Sequence, residues 1–372
     1  MADIKTHLRE LSVSTTIGLL KEGIKFNFSD LLISKNFFNY ACKLISNDIS
    51  SAVNILEVSS FDGELKQVVE NGYRLGEKIF NHPYFSITKG TPIKWTGNDT
   101  QKDDPIDLYI GTYGFSLKED SYILKNMGLY DLINNLTGSE YKRGLHVFST
   151  FAPREYDYWF DYTWKSFVAY LKKFRDWSLD KENNESKAYL KDDDVILSYS
   201  SYNSIVPINI KKNREYMQLT TSLIREKVLS KWIKSYFEKD PEYIKLKKGC
   251  AEVAGNLICK IIKESFTLSN IFTFFRIYPK EYYYAKTTNH ETTILKVPAK
   301  GDFTSSIEFL ECKYEVPNSQ LNIISTFRNK KTGKTIQFRN ECRFSHGQFN
   351  GTPEAKMYIV RNTPLTELYD PL

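Results

Sequence analysis

The sequence PIDLYIGTYGFSLK, residues 105–118, decides the fold. Two apolar runs, each with one charged side chain, flank the glycine-containing segment 111–114. Such a pattern is typical of a β-hairpin. If residues 111–114 form a four-residue loop, the strands pair outward from it and Asp107 lies directly across from Lys118, with the two Cβ atoms about 5 Å apart. The sequence therefore predicts a carboxylate and an ammonium group side by side on one hairpin.

The alternation of side chains along a strand assigns the rest of the hairpin to two faces. Ser116 shares the face of Lys118, whereas Leu108 and Leu117 point to the other side. One face is therefore polar, and the other can pack on a core. Carboxylates hold Mg²⁺, which polarises a phosphate and lowers the pKa of an attacking water, and a nearby lysine can orient that water. These residue types point to hydrolysis of a phosphodiester, although an Asp and a Lys on a surface hairpin also form ordinary solvent-exposed pairs.

The layout of this hairpin resembles the catalytic hairpin of the PD-(D/E)xK nuclease superfamily. That superfamily has an acid on the first strand and an acid-x-lysine triplet on the second, and the likeness covers roughly 15 residues here. The chain departs from the pattern in two ways. Ile106 separates the proline from Asp107, and Ser116 stands where the second acid is expected.

One group of restriction endonucleases similarly has Ser-x-Lys and takes the missing acid from the following helix. The resemblance points to Asp131 as that acid, with Glu119 and Asp120 as nearer alternatives. A further acid on the helix before the hairpin is common in the superfamily, and either Glu77 or Glu70 would serve.

The resemblance therefore implies a fold, a cofactor and a set of site residues. The fold is of the α/β (α+β) class, with a restriction-endonuclease-like core in which helices flank a mixed sheet and its catalytic hairpin. The cofactor is Mg²⁺. Its ligands would be Asp107, Asp131 and Glu77. The catalytic residues would be Asp107, Ser116, Lys118, Asp131 and Glu77.

The activity implied is that of a type II restriction endonuclease, which hydrolyses double-stranded DNA at a short sequence. Many such enzymes are homodimers because their DNA sites are palindromic, so a homodimer is expected. Two alternatives stay open. The first is a defence or repair nuclease of low sequence specificity, and the second is a non-catalytic DNA-binding or scaffold protein.

A rival site lies nearer the C-terminus. Asp302 precedes Glu311 and Lys313, which form a literal acid-x-lysine triplet. Period-2 alternation places Ile307, Phe309, Glu311 and Lys313 on one face, which is part apolar and part charged. The segment around Asp302 is typical of a turn, so this alternative catalytic set of Asp302, Glu311 and Lys313 is the weaker one.

The C-terminal region is also rich in side chains that contact nucleic acids. Arg, Asn and Gln read base edges, while Lys and Ser hold phosphates. The same residues would also suit an ordinary edge hairpin with a polar turn. The candidate DNA-binding residues are Lys330, Lys331, Lys334, Arg339, Asn340, Arg343, Ser345, His346, Gln348 and Asn350.

Hydrophobic periodicity divides the chain into three regions. Residues 1–178 contain helices and the nuclease core, residues 179–269 form a helical insert, and residues 270–372 form a β-rich region. Helices are predicted over 16–22, 35–45, 63–81, 120–136, 155–176, 213–238 and 241–264. The charged segment 180–194 is predicted to connect two regions, and a hairpin is predicted to join 321–328 with 335–343.

Composition sets the remaining bounds. The chain has 372 residues, of which 41% are hydrophobic, so it can bury a core; its net charge of +6 permits a polyanionic partner without requiring one. Five dispersed cysteines favour reduced thiols in a cytoplasmic protein. We expect neither secretion nor a membrane span, because the start is charged and no apolar run approaches ~18 residues. HExxH, P-loop and GxGxxG motifs are absent from the sequence, which excludes the enzyme classes that need them.

Overall fold

The computed structural model describes residues 4–33, 35–45, 63–96, 105–118, 123–142, 144–288, 291–303, 307–345, 347–360 and 364–372. Its helices are α1 (Ile4–Lys21), α2 (Phe28–Ile33), α3 (Lys35–Cys42), α4 (Gly63–Asn81), α5 (Leu129–Thr137), α6 (Val147–Phe151), α7 (Pro153–Phe174), α8 (Asn213–Leu219), α9 (Pro241–Ser265) and α10 (Ile271–Phe274). Between α8 and α9, α-helical turns (Ser222–Ile224, Ser230–Trp232) alternate with π-helical turns (Arg225–Leu229, Ile233–Phe237).

The strands are β1 (Ile93–Trp95), β2 (Leu108–Ile110), β3 (Tyr113–Lys118), β4 (Ile123–Lys125), β5 (Asp176–Leu179), β6 (Ser186–Lys191), β7 (Asp194–Tyr199), β8 (Tyr202–Pro207), β9 (Tyr282–Thr287), β10 (Thr292–Val297), β11 (Ile307–Glu315), β12 (Asn322–Asn329), β13 (Thr335–Arg343), β14 (Glu354–Ile359) and β15 (Asp370–Pro371). The protein is thus of mixed α and β structure with several sheets, as the sequence predicts.

The chain divides into two units. The first comprises Met1–Ser121, Phe275–Ser305 and Pro364–Leu372, and the second comprises Tyr122–Phe274 and Ser306–Thr363. The predicted regions 1–178, 179–269 and 270–372 follow a different division. Each unit is assembled from separate stretches of sequence, and a linear change in composition does not reveal such an arrangement.

The first unit contains a six-stranded sheet in the order β1-β2-β3-β9-β10-β15. Its β3 and β9 are parallel, and the other pairs are antiparallel. Helices α1 and α4 pack closely, because Gly72 and Gly76 of α4 face Ser12 and Thr16 of α1 without an intervening side chain. The apolar sheet face, which includes Leu108, joins this helix pair in one core.

The described residues of the second unit form two sheets. One has the order β11-β12-β13-β14-β4, and the other is the meander β5-β6-β7-β8. A core of aromatic side chains lies beneath helix α7, where Trp159 contacts Phe349 with ring centroids 4.5 Å apart.

Several predicted elements are confirmed. Helix α4 spans Gly63–Asn81 as predicted, α7 and α9 match the predicted helices at 155–176 and 241–264, and the hairpin β12–β13 joins the predicted segments. The helix predicted to end at residue 136 ends at Thr137, where Gly138 caps α5 in the left-handed conformation with φ of 71°.

Other predicted elements are wrong. The supposed connector 180–194 lies in the meander sheet, where charged residues alternate with buried ones such as Ala188. The helix predicted from residue 120 begins only at Leu129, because residues 123–125 pair with β14 as a strand. The helix predicted over 213–238 is broken at Thr220, which has an extended backbone. Helix α1 is longer than predicted, because polar side chains on several of its faces are buried and hide its periodicity.

Candidate functional site

The hairpin at 105–118 forms with a tighter loop than predicted. Ile110 pairs with Tyr113, so only Gly111 and Thr112 remain in the loop. Gly111 has a φ of 58°, and a positive φ at the first loop position is what a type II′ hairpin turn requires. Continued outward, this register places Asp107 opposite Ser116, two residues from the predicted partner. A shift of two keeps each side chain on its predicted face, because the side-chain period of a strand is two.

Asp107 nevertheless contacts Lys118. Its Oδ2 atom accepts a hydrogen bond from the Leu117 backbone N–H at 2.7 Å and lies 3.5 Å from Lys118 Nζ. The two residues are diagonal neighbours across the hairpin, and the lysine side chain is long enough to span the diagonal distance. The side chains of Asp107 and Lys118 are only 21% and 23% exposed. The predicted pairing of a carboxylate with an ammonium group is therefore present, with a corrected register.

Ser116 lies opposite Asp107 in this register and shares a face of β3 with Lys118. Its side chain is 1% exposed, and its Oγ has no hydrogen-bond partner among the described residues. On its other side it pairs with Tyr284 of the parallel strand β9. A buried hydroxyl without a partner is costly, so such a group in a native protein calls for an explanation such as an ion or a ligand.

Glu10 of helix α1 is a further acidic residue, and the hairpin motif does not indicate it. It is 2% exposed and accepts a hydrogen bond from Trp95 Nε1 at 2.8 Å. The pKa of Glu10 is raised to about 8, chiefly by burial and then by the charge of Asp107, while the Trp95 hydrogen bond and the charges of Arg9 and Lys118 oppose the shift. Glu10 therefore shares an electrostatic field with the hairpin pair. Its only signal in the sequence is an Arg-Glu pair within an otherwise weakly charged helix.

The lysine of the pair is also perturbed. Burial lowers the pKa of Lys118, the charge of Asp107 opposes this shift, and Arg276 adds to it. Like-charged groups and desolvation both favour loss of the proton, whereas the ion pair favours its retention. Buried groups with shifted pKa values are frequent at functional sites, although structural ion pairs produce them too.

The acids predicted on α4 have other partners. Glu77 accepts a hydrogen bond from the hydroxyl of Tyr73 at 2.5 Å, and Glu70 lies 3.5 Å from the amide nitrogen of Gln67. The assignment of Glu77 as a metal ligand stays a prediction.

Asp131 belongs to the second unit, whereas Asp107 and Lys118 belong to the first. It lies in the first turn of α5 and lines a pocket of about 400 Å³ with Glu354 and Lys356. The alternatives Glu119 and Asp120 lie outside the described residues.

The rival set is divided between the two units. Asp302 lies in a turn of the first unit, as predicted, and Glu311 and Lys313 lie on β11 of the second. The prediction that Ile307 and Glu311 share a face is wrong, because a β-bulge between Phe309 and Glu311 reverses the alternation. Glu311 and Lys313 are about half exposed and 3.8 Å apart, which is the geometry of a surface ion pair.

The predicted DNA-binding residues have mixed placements. Lys330, Lys331 and Lys334 are exposed at the tip of the β12–β13 hairpin. Asn340 is fully buried, because even-numbered residues of β13 point inward, so its assignment to a DNA-contacting surface is wrong.

Arg339 and Arg343 both lie over the ring of Tyr358, with guanidinium carbons 5.0 and 5.7 Å from its centroid. Ser345 is exposed and Gln348 and Asn350 are partly exposed, while His346 lies outside the described residues. Buried Phe349 anchors this loop in the aromatic core.

Within the described ranges, no group of three or more His, Cys, Asp or Glu side chains is placed to hold a metal ion. None of the described helices is both long and apolar enough to cross a membrane.

The site therefore consists of Asp107, Ser116 and Lys118 on the hairpin, with Glu10 from helix α1. Comparison with known proteins adds no assigned roles to these residues. No protein-family model, curated protein or solved structure matches this chain.

Proposed function

We propose that this protein is a type II restriction endonuclease that hydrolyses double-stranded DNA at a short sequence in the presence of Mg²⁺. The observation that carries the proposal is the contact between Lys118 Nζ and Asp107 Oδ2, 3.5 Å apart on neighbouring strands and mostly shielded from solvent. A solvated surface pair would stand alone and contribute under about 1 kcal/mol. Here the pair is accompanied by a buried acid, Glu10, and by the hydroxyl of Ser116, which finds no hydrogen-bond partner in the part of the chain that the structure describes.

The donor chemistry of these side chains fits a divalent cation. The negative charge of Asp107 helps to raise the pKa of Glu10, because two ionised carboxylates here would repel each other, and Glu10 therefore keeps its proton near neutral pH. A cation would offset that repulsion and favour release of the proton, and carboxylate and hydroxyl oxygens are ligands that Mg²⁺ accepts. Asp107 and Glu10 would hold the ion, and Asp131 and Glu77 stay candidates from the resemblance. When bound, Mg²⁺ would polarise the phosphate and lower the pKa of the attacking water.

The residues of the chain have separate parts in this proposal. Asp107 fixes the Lys118 ammonium through Oδ2, and the Leu117 backbone N–H fixes the carboxylate in turn. Lys118 would orient the water or stabilise the charge that develops on the phosphate. The ion pair opposes the loss of the lysine proton that burial favours, so it supports the charged form. Ser116 occupies the position at which the PD-(D/E)xK pattern has its second acid.

The test is cleavage of bacteriophage λ DNA with Mg²⁺, or with Mn²⁺, by the purified protein and two variants. Lys118→Ala should reduce the cleavage rate by at least about a hundredfold, because it removes a group that acts on the reacting phosphate. Lys313→Ala is the matched control, since it removes a lysine that is also paired with an acid on a strand. It should cut as the wild type does.

Each outcome discriminates between functions. Discrete fragments that only Lys118→Ala loses support a sequence-specific enzyme, and a smear supports the nuclease of low specificity. Loss in Lys313→Ala alone would move the active site to the second unit. No cleavage by any form, on several DNAs and with both metals, would reject the nuclease and leave a DNA-binding protein. Homodimerisation, which the resemblance implies, is tested separately by sedimentation.

A further inference from the structure

The second unit contains an open groove between helix α7 and the segment 208–212, which links β8 to α8. It encloses about 1080 Å³ and is lined along α7 from Arg154 to Lys172. All of its lining residues lie within Tyr122–Phe274, so the groove belongs to this unit alone. Neither the hairpin site nor the predicted DNA-binding residues contribute to it.

The floor of the groove is firmly held. Trp164 Nε1 donates a hydrogen bond to the carbonyl of Ile208 at 2.9 Å, which ties the segment 208–212 to α7. Trp164 and Ile210 are 1% and 6% exposed. Because both walls are anchored in the core, the groove is a preformed feature of the unit.

The rim is basic. Its five cationic side chains are exposed to solvent, whereas its two acidic side chains are partly buried. Asp161 is already paired with Lys165, whose Nζ lies 2.7 Å from its Oδ2. The net charge of the lining is therefore +3. The cations are Arg154, Lys165, Lys172, Lys211 and Lys212, and the acids are Asp157 and Asp161.

The length of the groove indicates an extended ligand. Arg154 and Lys172 are 18 positions apart on α7, which corresponds to about 27 Å along the helix axis. One nucleic-acid strand carries a phosphate about every 3.4 Å along a duplex, so several phosphates could contact the rim together. A small anion would engage only one part of it. Basic side chains on a firmly held groove are the features that track a phosphate backbone.

Tyr158 adds a second kind of contact surface. Its ring is 54% exposed, and the guanidinium carbon of Arg154 lies 5.5 Å from the ring centroid. Exposed aromatic rings in basic grooves can stack on unpaired bases. Because only unpaired bases can stack on this ring, the affinities of a single strand and of a duplex should be compared.

We propose that this groove binds the phosphodiester backbone of DNA. The choice of DNA as the polymer rests on the proposed nuclease function, but the groove itself is independent of the hairpin chemistry. The groove would supply a DNA contact that is separate from the candidate DNA-binding residues between 330 and 350.

The test measures binding of a short labelled duplex and of its single strand by fluorescence anisotropy in EDTA, where metal-dependent cleavage is blocked. Lys211→Gln/Lys212→Gln removes two charges from the groove and should weaken binding by at least about tenfold at moderate salt. The slope of log K against log salt should fall by about 1.8 for a duplex, or about 1.4 for a single strand.

The matched control is Lys245→Gln/Lys248→Gln, which removes two exposed lysines of α9 whose partners are Glu242 and Glu252. It changes the net charge equally and should bind as the wild type does. Lys211→Arg/Lys212→Arg should also bind normally, and circular dichroism of every variant checks that it is folded. A folded Gln/Gln groove variant with wild-type affinity, or a wild type that binds neither form of DNA, overturns the groove proposal.

Failure of the two proposals can be distinguished. If the wild type cuts DNA while the groove variant binds normally, the nuclease proposal stands and the groove proposal falls. If binding depends on Lys211 and Lys212 but no metal supports cleavage, the groove proposal stands and the nuclease proposal falls.

Discussion

Glu10 is a carboxyl group buried beside a tryptophan, and its protonation is linked to folding. Its ordinary pKa is 4.5. In the folded protein the pKa is raised to about 8, mainly by burial and secondly by the charge of Asp107. Between these values the folded state keeps a proton that the unfolded state releases. Stability from this group is fully present below about pH 4.5 and is lost as the pH rises through about 8.

Glu10→Gln should therefore stabilise the protein at alkaline pH. The amide can still accept the Trp95 hydrogen bond, but it carries no charge to bury. We expect its free energy of unfolding to exceed that of the wild type by a few kcal/mol, on the order of 1.4 kcal/mol per unit of pKa shift, at pH 9. The difference should vanish near pH 4.5. Urea denaturation at both pH values measures it.

The control for this effect is Glu64→Gln, which removes an acid whose side chain is 75% exposed. Its pH dependence should follow that of the wild type. If Glu10→Gln and Glu64→Gln show the same dependence, Glu10 does not hold a proton in the folded state.

Helices α1 and α4 show how glycine sets the distance between elements. A Cβ atom on Gly72 would lie 2.6 Å from the Cβ of Ser12 and 2.7 Å from the carbonyl oxygen of Arg9. Gly76 is one turn further along α4, and a Cβ atom there would lie 2.8 Å from the Cβ of Thr16. The backbones of the two helices therefore approach each other closely at positions where α4 has only glycine.

Gly72→Ala should destabilise the protein by about 1–3 kcal/mol, because the added methyl group overlaps backbone that cannot move away. Gly249→Ala is the matched control. Gly249 also lies inside a helix, α9, but a Cβ there meets nothing within 4 Å. That variant should gain about 0.5–1 kcal/mol from helix propensity. Thermal denaturation compares the two, and a neutral Gly72→Ala would show that the helices can separate.

The hairpin illustrates what sequence can and cannot specify at the level of elements. Alternation correctly placed Asp107, Ser116 and Lys118 on one face, because parity survives a shift of two residues. The predicted pairing of Asp107 directly opposite Lys118 is wrong, because Gly111 adopts a positive φ and the loop closes with only two residues. Glycine permits several loop lengths, and the strands around it select one.

The whole molecule shows a further limit of prediction. Long amphipathic helices such as α9 were recognised because one face meets water. Helix α1 was recognised only in part, because side chains such as Glu10 and Ser12 are buried polar groups that mask its period. The site follows the same rule. The hairpin residues are neighbours in sequence and share one motif, whereas Glu10 is nearly a hundred residues from them in sequence and belongs to no motif that includes them.

The five cysteines can report on the two units separately. Cys42 lies in the first unit, and Cys250, Cys259, Cys312 and Cys342 lie in the second. All five are buried, and burial raises the pKa of both Cys42 and Cys342 to about 12, so each should react slowly in the folded protein.

We expect Gly72→Ala to lower the urea concentration at which Cys42 becomes alkylated. The same substitution should have a smaller effect on the urea concentration at which the other four thiols become alkylated. The substitution lies in the same unit as Cys42, and each unit has a core of its own. Mass spectrometry of labelled peptides resolves the sites, and Gly249→Ala is again the control. An equal shift at all five thiols would show that the chain unfolds as one cooperative body.

The parallel pairing of β3 with β9 has a consequence for synthesis on the ribosome. Strand β3 is complete before the segment 122–274 has been translated, yet its neighbour β9 follows that segment. At ordinary rates of translation this interval lasts roughly 10–30 s. Throughout it, the nascent strand that carries Lys118 has one edge without its native neighbour. An unpaired edge can join the same strand of another nascent chain on a polysome, so successful production of this protein depends on shielding that edge until β9 emerges.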